Sequence, residues 1–265
     1  MTERRPITLI TGASAGIGAA LARAFARNGH ELMLVARREA RLRELADEIA
    51  ALGKSRPQYH AVDLEQRDAA AQIADVMARL EVEPDVVVNN AGFGLLGPAA
   101  SLSRAEQIAM VDVNVRALTE LSLAFVDALE RRQGGILNVA SVAAFLPGPN
   151  MAVYYATKAY VLSFSDALHW ELRPRGIRVT ALCPGPVPTE FQARAGFTRN
   201  FSPDVLTQSA EQVADDAYRA LRQGRRMVMP GFTNRATMTI TRLLPRGLLM
   251  DAVGRYNRRR FPRLS

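Results

Sequence analysis

The 265-residue chain holds a single cysteine, Cys183, two lysines, Lys54 and Lys158, and three histidines, His30, His60 and His169. One cysteine excludes a disulfide within the chain and points to a reducing compartment. The histidines are scattered and lack metal-ligand spacing, so no metal site is expected. No run of about 18 apolar residues occurs, which leaves no candidate membrane-spanning helix. The polar opening Met1-Thr-Glu-Arg-Arg-Pro leads into Ile7-Thr-Leu-Ile10, too short for the apolar region of a secretory leader. The protein therefore reads as cytoplasmic. The formal net charge of +8 rests almost wholly on arginine. Neither zinc-finger spacing nor aromatic-basic interleaving accompanies it, so nucleic acid is not an expected partner.

What is present is alternation. Short β-branched runs at Ile7–Thr11, Glu31–Ala36, Gln58–Val62, Val86–Asn89, Gly135–Ala140, Arg178–Leu182 and Arg226–Met229 read as strands. Segments with apolar residues at helical spacing lie between them: Ile17–Asn28, Ala40–Leu52, Asp68–Leu80, Ala105–Glu130, Ala152–Leu172 and Ala210–Arg222. Near-continuous apolar strands alternating with helices predict a doubly wound, Rossmann-like α/β fold. Its parallel sheet has about seven strands, with helices on both faces. The expected organisation is one domain over 1–265, with 231–265 as a basic extension of it. Pro184–Pro203, rich in proline and glycine, reads as irregular.

The first predicted strand runs into Thr11-Gly-Ala-Ser-Ala-Gly-Ile-Gly18, and a helix follows. Glycines here let a backbone approach a pyrophosphate, and the helix start offers unpaired N–H groups to it. The spacing of Gly12, Gly16 and Gly18 is G-x-x-x-G-x-G; Ser14, Ala15 and Ile17 complete the loop. The second strand ends at Ala36, and Arg37 and Arg38 follow where a dinucleotide fold inspects the adenosine ribose. An acid there would favour NAD; two guanidiniums match the 2′-phosphate of NADP instead. Asp63, at the end of the third strand, either contacts adenine or caps a helix.

Tyr154 and Lys158 stand four residues apart, on one face of a predicted helix. Ser141 ends the fifth strand, and Asn114 sits in mid-helix, where asparagine costs propensity. With Asn89-Asn-Ala-Gly92 and Pro184-Gly185, these motifs make the chain over roughly residues 5–230 resemble the short-chain dehydrogenase/reductase family, of the NADP-preferring type. The resemblance implies NADP(H) as cofactor and hydride transfer between nicotinamide and the carbon of a small-molecule carbonyl or secondary alcohol. It implies Tyr154 as proton donor, Lys158 as the charge that lowers the tyrosine pKa, Ser141 as holder of the carbonyl oxygen, and Asn114 as support for a relaying water. It also implies that Asn90, Ala91, Gly92, Pro184, Gly185, Val187 and Thr189 line the cofactor, with Tyr154 and Lys158 beside its nicotinamide end. An NAD-linked dehydrogenase, or a membrane-associated reductase of long-chain 3-oxoacyl or steroid-like substrates, stands as the alternative.

Two expectations concern association. Family members pair through the helices flanking the Ser141 strand, so a homodimer or homotetramer is expected from Asn114–Glu130 and Ala152–Leu172. From Arg242 to Arg263 there are seven arginines and one acid, Asp251. Leu249, Ala252, Val253 and Tyr256 follow the helical period within Leu248–Arg260. That stripe packs on the protein's own lid or a subunit, or else docks weakly on an anionic membrane surface.

Overall fold

The computed structural model describes residues 4–197, 206–241 and 244–258. Seven strands form one sheet: β1 (Arg5–Thr11), β2 (Leu32–Ala36), β3 (Gln58–Ala61), β4 (Val82–Asn89), β5 (Gly135–Val139), β6 (Arg178–Leu182) and β7 (Met227–Val228). Their order is β3-β2-β1-β4-β5-β6-β7, every pairing parallel. The chain winds outward from β1 to β3, then returns to lay β4 on the other side of β1. That reversal opens a crevice at the carboxyl ends of β1 and β4, where ligands bind in open α/β sheets.

Residues on either side of each strand alternate between two cores. Ile10, Leu34, Val88 and Leu137 pack under α1 (Gly16–Arg27), α2 (Glu39–Ala51) and, further along the chain, a helix over Ala210–Arg222. Leu9, Met33, Val87 and Ile136 pack under α3 (Ala69–Arg79) and the helices that flank β5. The period-2 alternation within apolar runs is what a sheet covered on both faces requires.

Several boundaries differ from expectation. The strand expected from Val86 begins at Val82; Glu83, Pro84 and Asp85 break the apolar run, and the register against β1 shifts at this point. The helix expected over Ala105–Glu130 is α4 (Arg104–Val111), a wider π-type turn over Asp112–Ala117, then α5 (Leu118–Ala124) and α6 (Val126–Arg131). The wide turn centres on Asn114, whose side chain bonds outside the helix; such bulges collect at functional sites. After β5 comes α7 (Ala152–Leu172). The stretch expected to be irregular contains a short helix, α8 (Glu190–Ala195), started by a capping box between Thr189 and Gln192. Residues 198–203 of that stretch lie outside the described residues. Next comes α9 (Ala210–Arg222). The tail forms α10 (Phe232–Thr241), which sequence did not announce, and α11 (Arg246–Arg258), starting two residues before the expected Leu248. Arg242, Arg259, Arg260 and Arg263 lie outside the described residues. No described helix is long and apolar enough to cross a membrane.

Candidate active site

The carboxyl ends of β1 and β4 are stitched together by side chains. Thr11 Oγ1 donates to Val88 O (3.2 Å) and accepts from Asn90 N (3.1 Å) and Ala91 N (3.2 Å). Asn90 Nδ2 donates to Thr11 O (2.9 Å) and Gly12 O (3.1 Å). This bracing holds the glycine loop against α1. A Cβ on Gly18 would collide with Gly12 O and Asn90 Nδ2, so this position admits no side chain. No side chain caps the start of α1 and no acid stands in its first turn, which leaves its positive end open to an anion. Across the loop, Arg38 donates to Ser14 Oγ (3.2 Å) and pairs with Glu190 (2.8 Å), while Arg37 pairs with Glu65 (3.2 Å). Asp63 caps no helix: its Oδ1 accepts from Glu65 N (3.1 Å) in the loop after β3.

α7 delivers Tyr154 and Lys158 to the other end of the same cleft. Lys158 is buried and its Nζ donates to Val139 O (2.7 Å), 6.0 Å from the centre of the Tyr154 ring. Burial pushes the Tyr154 phenol up to about 12, and a hydrogen bond with Ser141 opposes that rise. Burial pulls the Lys158 ammonium down to about 8. Desolvation dominates the shift of both groups, and the Lys158 ammonium rests on a backbone carbonyl. Tyr154 is a protonated donor at neutral pH. Ser141, two residues past the end of β5, is extended and caps the short turn that follows, its Oγ accepting from Ala143 N (3.1 Å) and its hydroxyl hydrogen left for Tyr154 or a substrate oxygen.

Asn114 is fully buried and clamps neighbouring backbone. It accepts from Phe93 N (3.1 Å) and donates to Phe93 O (3.0 Å) and Thr157 Oγ1 (3.1 Å). Gly92 passes between Asn114 and Lys158; a Cβ there would lie 2.9 Å from Asn114 Oδ1 and 3.3 Å from Lys158 Nζ. Behind the site runs a buried polar chain. Asn89 Nδ2 donates to Ser122 Oγ (2.9 Å) and Asn138 Oδ1 (2.9 Å), and Asn138 Nδ2 donates to Ser165 Oγ (3.0 Å). Sequence reasoning missed this chain, although the amide in the apolar run Gly135-Ile-Leu-Asn-Val139 was its visible trace.

The glycine loop, the arginine pair and the Ser141, Tyr154 and Lys158 group face one cleft of about 980 Å³, the size range of ligand sites. Gly12, Ser14, Ala15, Gly16, Ile17, Gly18, Arg37, Arg38, Asp63, Asn90, Ala91, Gly92, Ser141, Tyr154, Lys158, Pro184, Gly185, Val187 and Thr189 all line it, while Asn114 stands behind the wall. Residues that sequence did not single out complete it: Phe191 and Arg194 from α8, Met238 from α10, and Leu244. The stripe Leu249, Ala252, Val253 and Tyr256 of α11 also faces the cleft. α11 is seated there by Asn257 Nδ2, which donates to Pro149 O (2.9 Å), and by Gly254, which packs on Pro149. Cys183 is buried, and burial pushes its thiol up to about 12, so it is packing rather than a nucleophile. Among the described residues no cluster could hold a metal ion.

A glycine loop at the switch point and a tyrosine, serine and lysine around one cleft define a dinucleotide-fold oxidoreductase. The chain belongs to the short chain dehydrogenase family, whose model matches residues 6–199. It is 38% identical over 219 residues to sulfoacetaldehyde reductase 2 of Chromohalobacter salexigens, covering 79% of this chain and 85% of that one. It is 37% identical over 191 residues to the NADP-dependent 3-hydroxy acid dehydrogenase YdfG of Escherichia coli, covering 70% and 74%. Among solved structures, a short-chain dehydrogenase from Sphingobium yanoikuyae in complex with NADPH superposes with a TM-score of 0.78 at 30% identity, covering 91% of this chain and 96% of that one. The bulky-bulky ketone specific alcohol dehydrogenase of Comamonas testosteroni superposes with a TM-score of 0.75 at 29% identity, covering 92% and 96%.

Proposed function

We propose that the protein is an NADP(H)-dependent reductase of a bulky, apolar ketone, or the dehydrogenase of the matching secondary alcohol. The observation that carries this reading is a single cleft with the Arg37–Arg38 pair at one end and Tyr154 at the other. The glycine loop and the uncapped start of α1 fit a pyrophosphate, and Arg37 and Arg38 fit a 2′-phosphate. Thr189, its hydroxyl hydrogen unused by the capping box, fits a carboxamide. Bound NADPH supplies the hydride. As the new C–H bond forms at the carbonyl carbon, negative charge gathers on oxygen. Ser141 holds that oxygen and Tyr154 gives it a proton. Lys158, still charged near neutrality, stabilises the phenolate left behind. Asn114 acts through position: it holds Phe93 and Thr157, the chain neighbours of Gly92 and Lys158. The walls supplied by Phe191, Leu244, Leu249 and Val253 favour an apolar substrate body.

The test is a panel of bulky ketones assayed with both nucleotides. NADPH is expected to outperform NADH by at least about tenfold in kcat/KM, because charge-assisted contacts contribute about 1.5–3 kcal/mol. Arg37→Asp should erase or reverse that ratio. An unchanged ratio would defeat the assignment.

A homodimer is the proposed assembly. Val161, Leu168 and Leu172 of α7 are spent on the protein's own core, yet Trp170 and Tyr160 remain exposed, with Ile108, Val111 and Leu123 on the neighbouring α4 and α5. Large apolar residues concentrated on one helix layer mark an interface. Light scattering at micromolar concentration should read at least twice the 29.0 kDa of one chain; a monomer would count decisively against it. Contact of the tail with an anionic membrane surface is proposed only as a weak, secondary interaction through the exposed Arg255 and Arg258, since the apolar stripe of α11 faces the cleft.

A further inference from the structure

The short helix α8 carries two charges four residues apart, Glu190 and Arg194, both lining the cleft. Their partners differ. Glu190 reaches across the glycine loop to Arg38 at 2.8 Å. Arg194 lies over the Phe93 ring, 4.1 Å from its centre, and has no carboxylate partner among the described residues. Burial and the like charges of Arg37 and Arg38 lower its pKa, while Glu65 and Asp63 raise it. Standing one helical turn from Glu190, which touches Arg38, the guanidinium shares the face of α8 that is turned to the arginine pair. The adenosine end of the cleft therefore holds three cations, Arg37, Arg38 and Arg194, and three acids, Asp63, Glu65 and Glu190.

A nucleotide 2′-phosphate brings a charge of about −1.5 to −2 to this balanced set. It cannot share Arg38 with a carboxylate without like-charge repulsion. Asp63 is held in its loop by the backbone of Glu65. Glu190, on the rim and more than half exposed, has solvent to turn into. We propose that Glu190 and Arg194 belong to the nucleotide site: the 2′-phosphate displaces Glu190 from Arg38 and takes Arg194 as a third cation. The proposal rests on the NADP(H) reading above. One face of α8 thus supplies an anion to the arginine pair when the cleft is free of nucleotide and a cation to the phosphate when it is filled. A nucleotide without the 2′-phosphate has nothing to exchange for Glu190, so the swap adds to discrimination against NAD(H).

The experiment measures dissociation constants for NADPH and NADH, by nucleotide fluorescence, on the full chain and on Glu190→Gln, Arg194→Gln and Arg38→Ala. Glu190→Gln is expected to bind NADPH about three- to fivefold more tightly, the scale of an exposed ion pair that no longer competes, with NADH unchanged. Arg194→Gln is expected to bind NADPH about tenfold more weakly, with NADH within about twofold. A Glu190→Gln protein whose NADPH constant is unchanged or weaker overturns the exchange. Equal losses for both nucleotides in Arg194→Gln overturn the phosphate contact. If Arg38→Ala loses NADPH selectively while the α8 variants bind as the parent does, the NADP(H) reading stands and the exchange falls. If Arg38→Ala leaves the NADPH-to-NADH ratio alone, the reading itself falls and takes the exchange with it.

Discussion

Tyr154→Phe is expected to lower ketone turnover by about 10²–10⁴-fold, the usual worth of a positioned general acid, while leaving nucleotide affinity and the melting temperature near those of the parent. The substitution removes one oxygen and almost no volume. The ring keeps its tilted contact with Phe191 (5.3 Å between centres) and its edge contact with Tyr155 (6.1 Å). What disappears is the phenolic proton proposed to reach a carbonyl oxygen held by Ser141. Tyr155→Phe is the control. Its ring packs on Gly148 and no lysine stands four residues on, so its loss should be far milder. Equal losses in the two variants would mean that the proton comes from elsewhere. The parent enzyme adds a second readout. Lys158 is held down near 8, so it is charged below about pH 8 and neutral above it. The log of kcat/KM for reduction should therefore be level near neutrality and fall as pH rises through about 8. A profile flat beyond pH 8 would remove Lys158 from the proton's path.

Asn138→Ala is expected to cost about 2–4 kcal/mol of stability and to lower the thermal midpoint by about 5–10 °C. Asn138 is fully buried, accepting from Asn89 and donating to Ser165. Deleting it orphans one donor on Asn89 and one acceptor on Ser165, in a place that no water replaces without a cavity. Asn89 already carries an unpaired Oδ1, so the chain has no slack to absorb the loss. The measurement is thermal unfolding followed by circular dichroism. An unchanged midpoint would mean that the amide chain contributes nothing net to stability. Ser141 follows β5 by two residues, so turnover of the folded fraction of this variant also reports how far the sheet's stiffness sets the position of Ser141.

Much of this was legible in the residues for a physical reason. Parallel strands buried on both faces must be apolar throughout, so the sheet announced itself wherever that held. It failed to do so at Glu83-Pro-Asp85, where β4 begins in residues that no strand pattern favours. Glycine loops and a Tyr–Lys pair on one helical face are local, and their spacing survives in one dimension. Arg37 and Arg38 were legible because they follow a strand end at a fixed distance from the loop. Glu190 and Arg194 were not, because their significance depends on which loop α8 folds against. The interruption at Asn114 was half legible: an asparagine in mid-helix was visible, but its bonds to Phe93 and Thr157 come from other elements. The depressed lysine and raised tyrosine were also out of reach, since desolvation is a property of the packed cleft.

The family model matches residues 6–199, and α10 and α11, beyond that match, line the same cleft. The seat of α11 is a pair of contacts to the Pro149 turn, just ahead of the helix that carries Tyr154. Part of the cleft wall is thus carried on chain downstream of the helix that bears Tyr154 and Lys158, with Phe191 of α8 completing it. Changes at the cleft-facing positions Leu249, Ala252 and Val253 would reshape that wall without touching Ser141, Tyr154 or Lys158, provided the buried anchors Asn234, Met238 and Asn257 are kept. For an engineer this makes α11 the place to alter the shape of the cleft while the proposed proton donor is left in position.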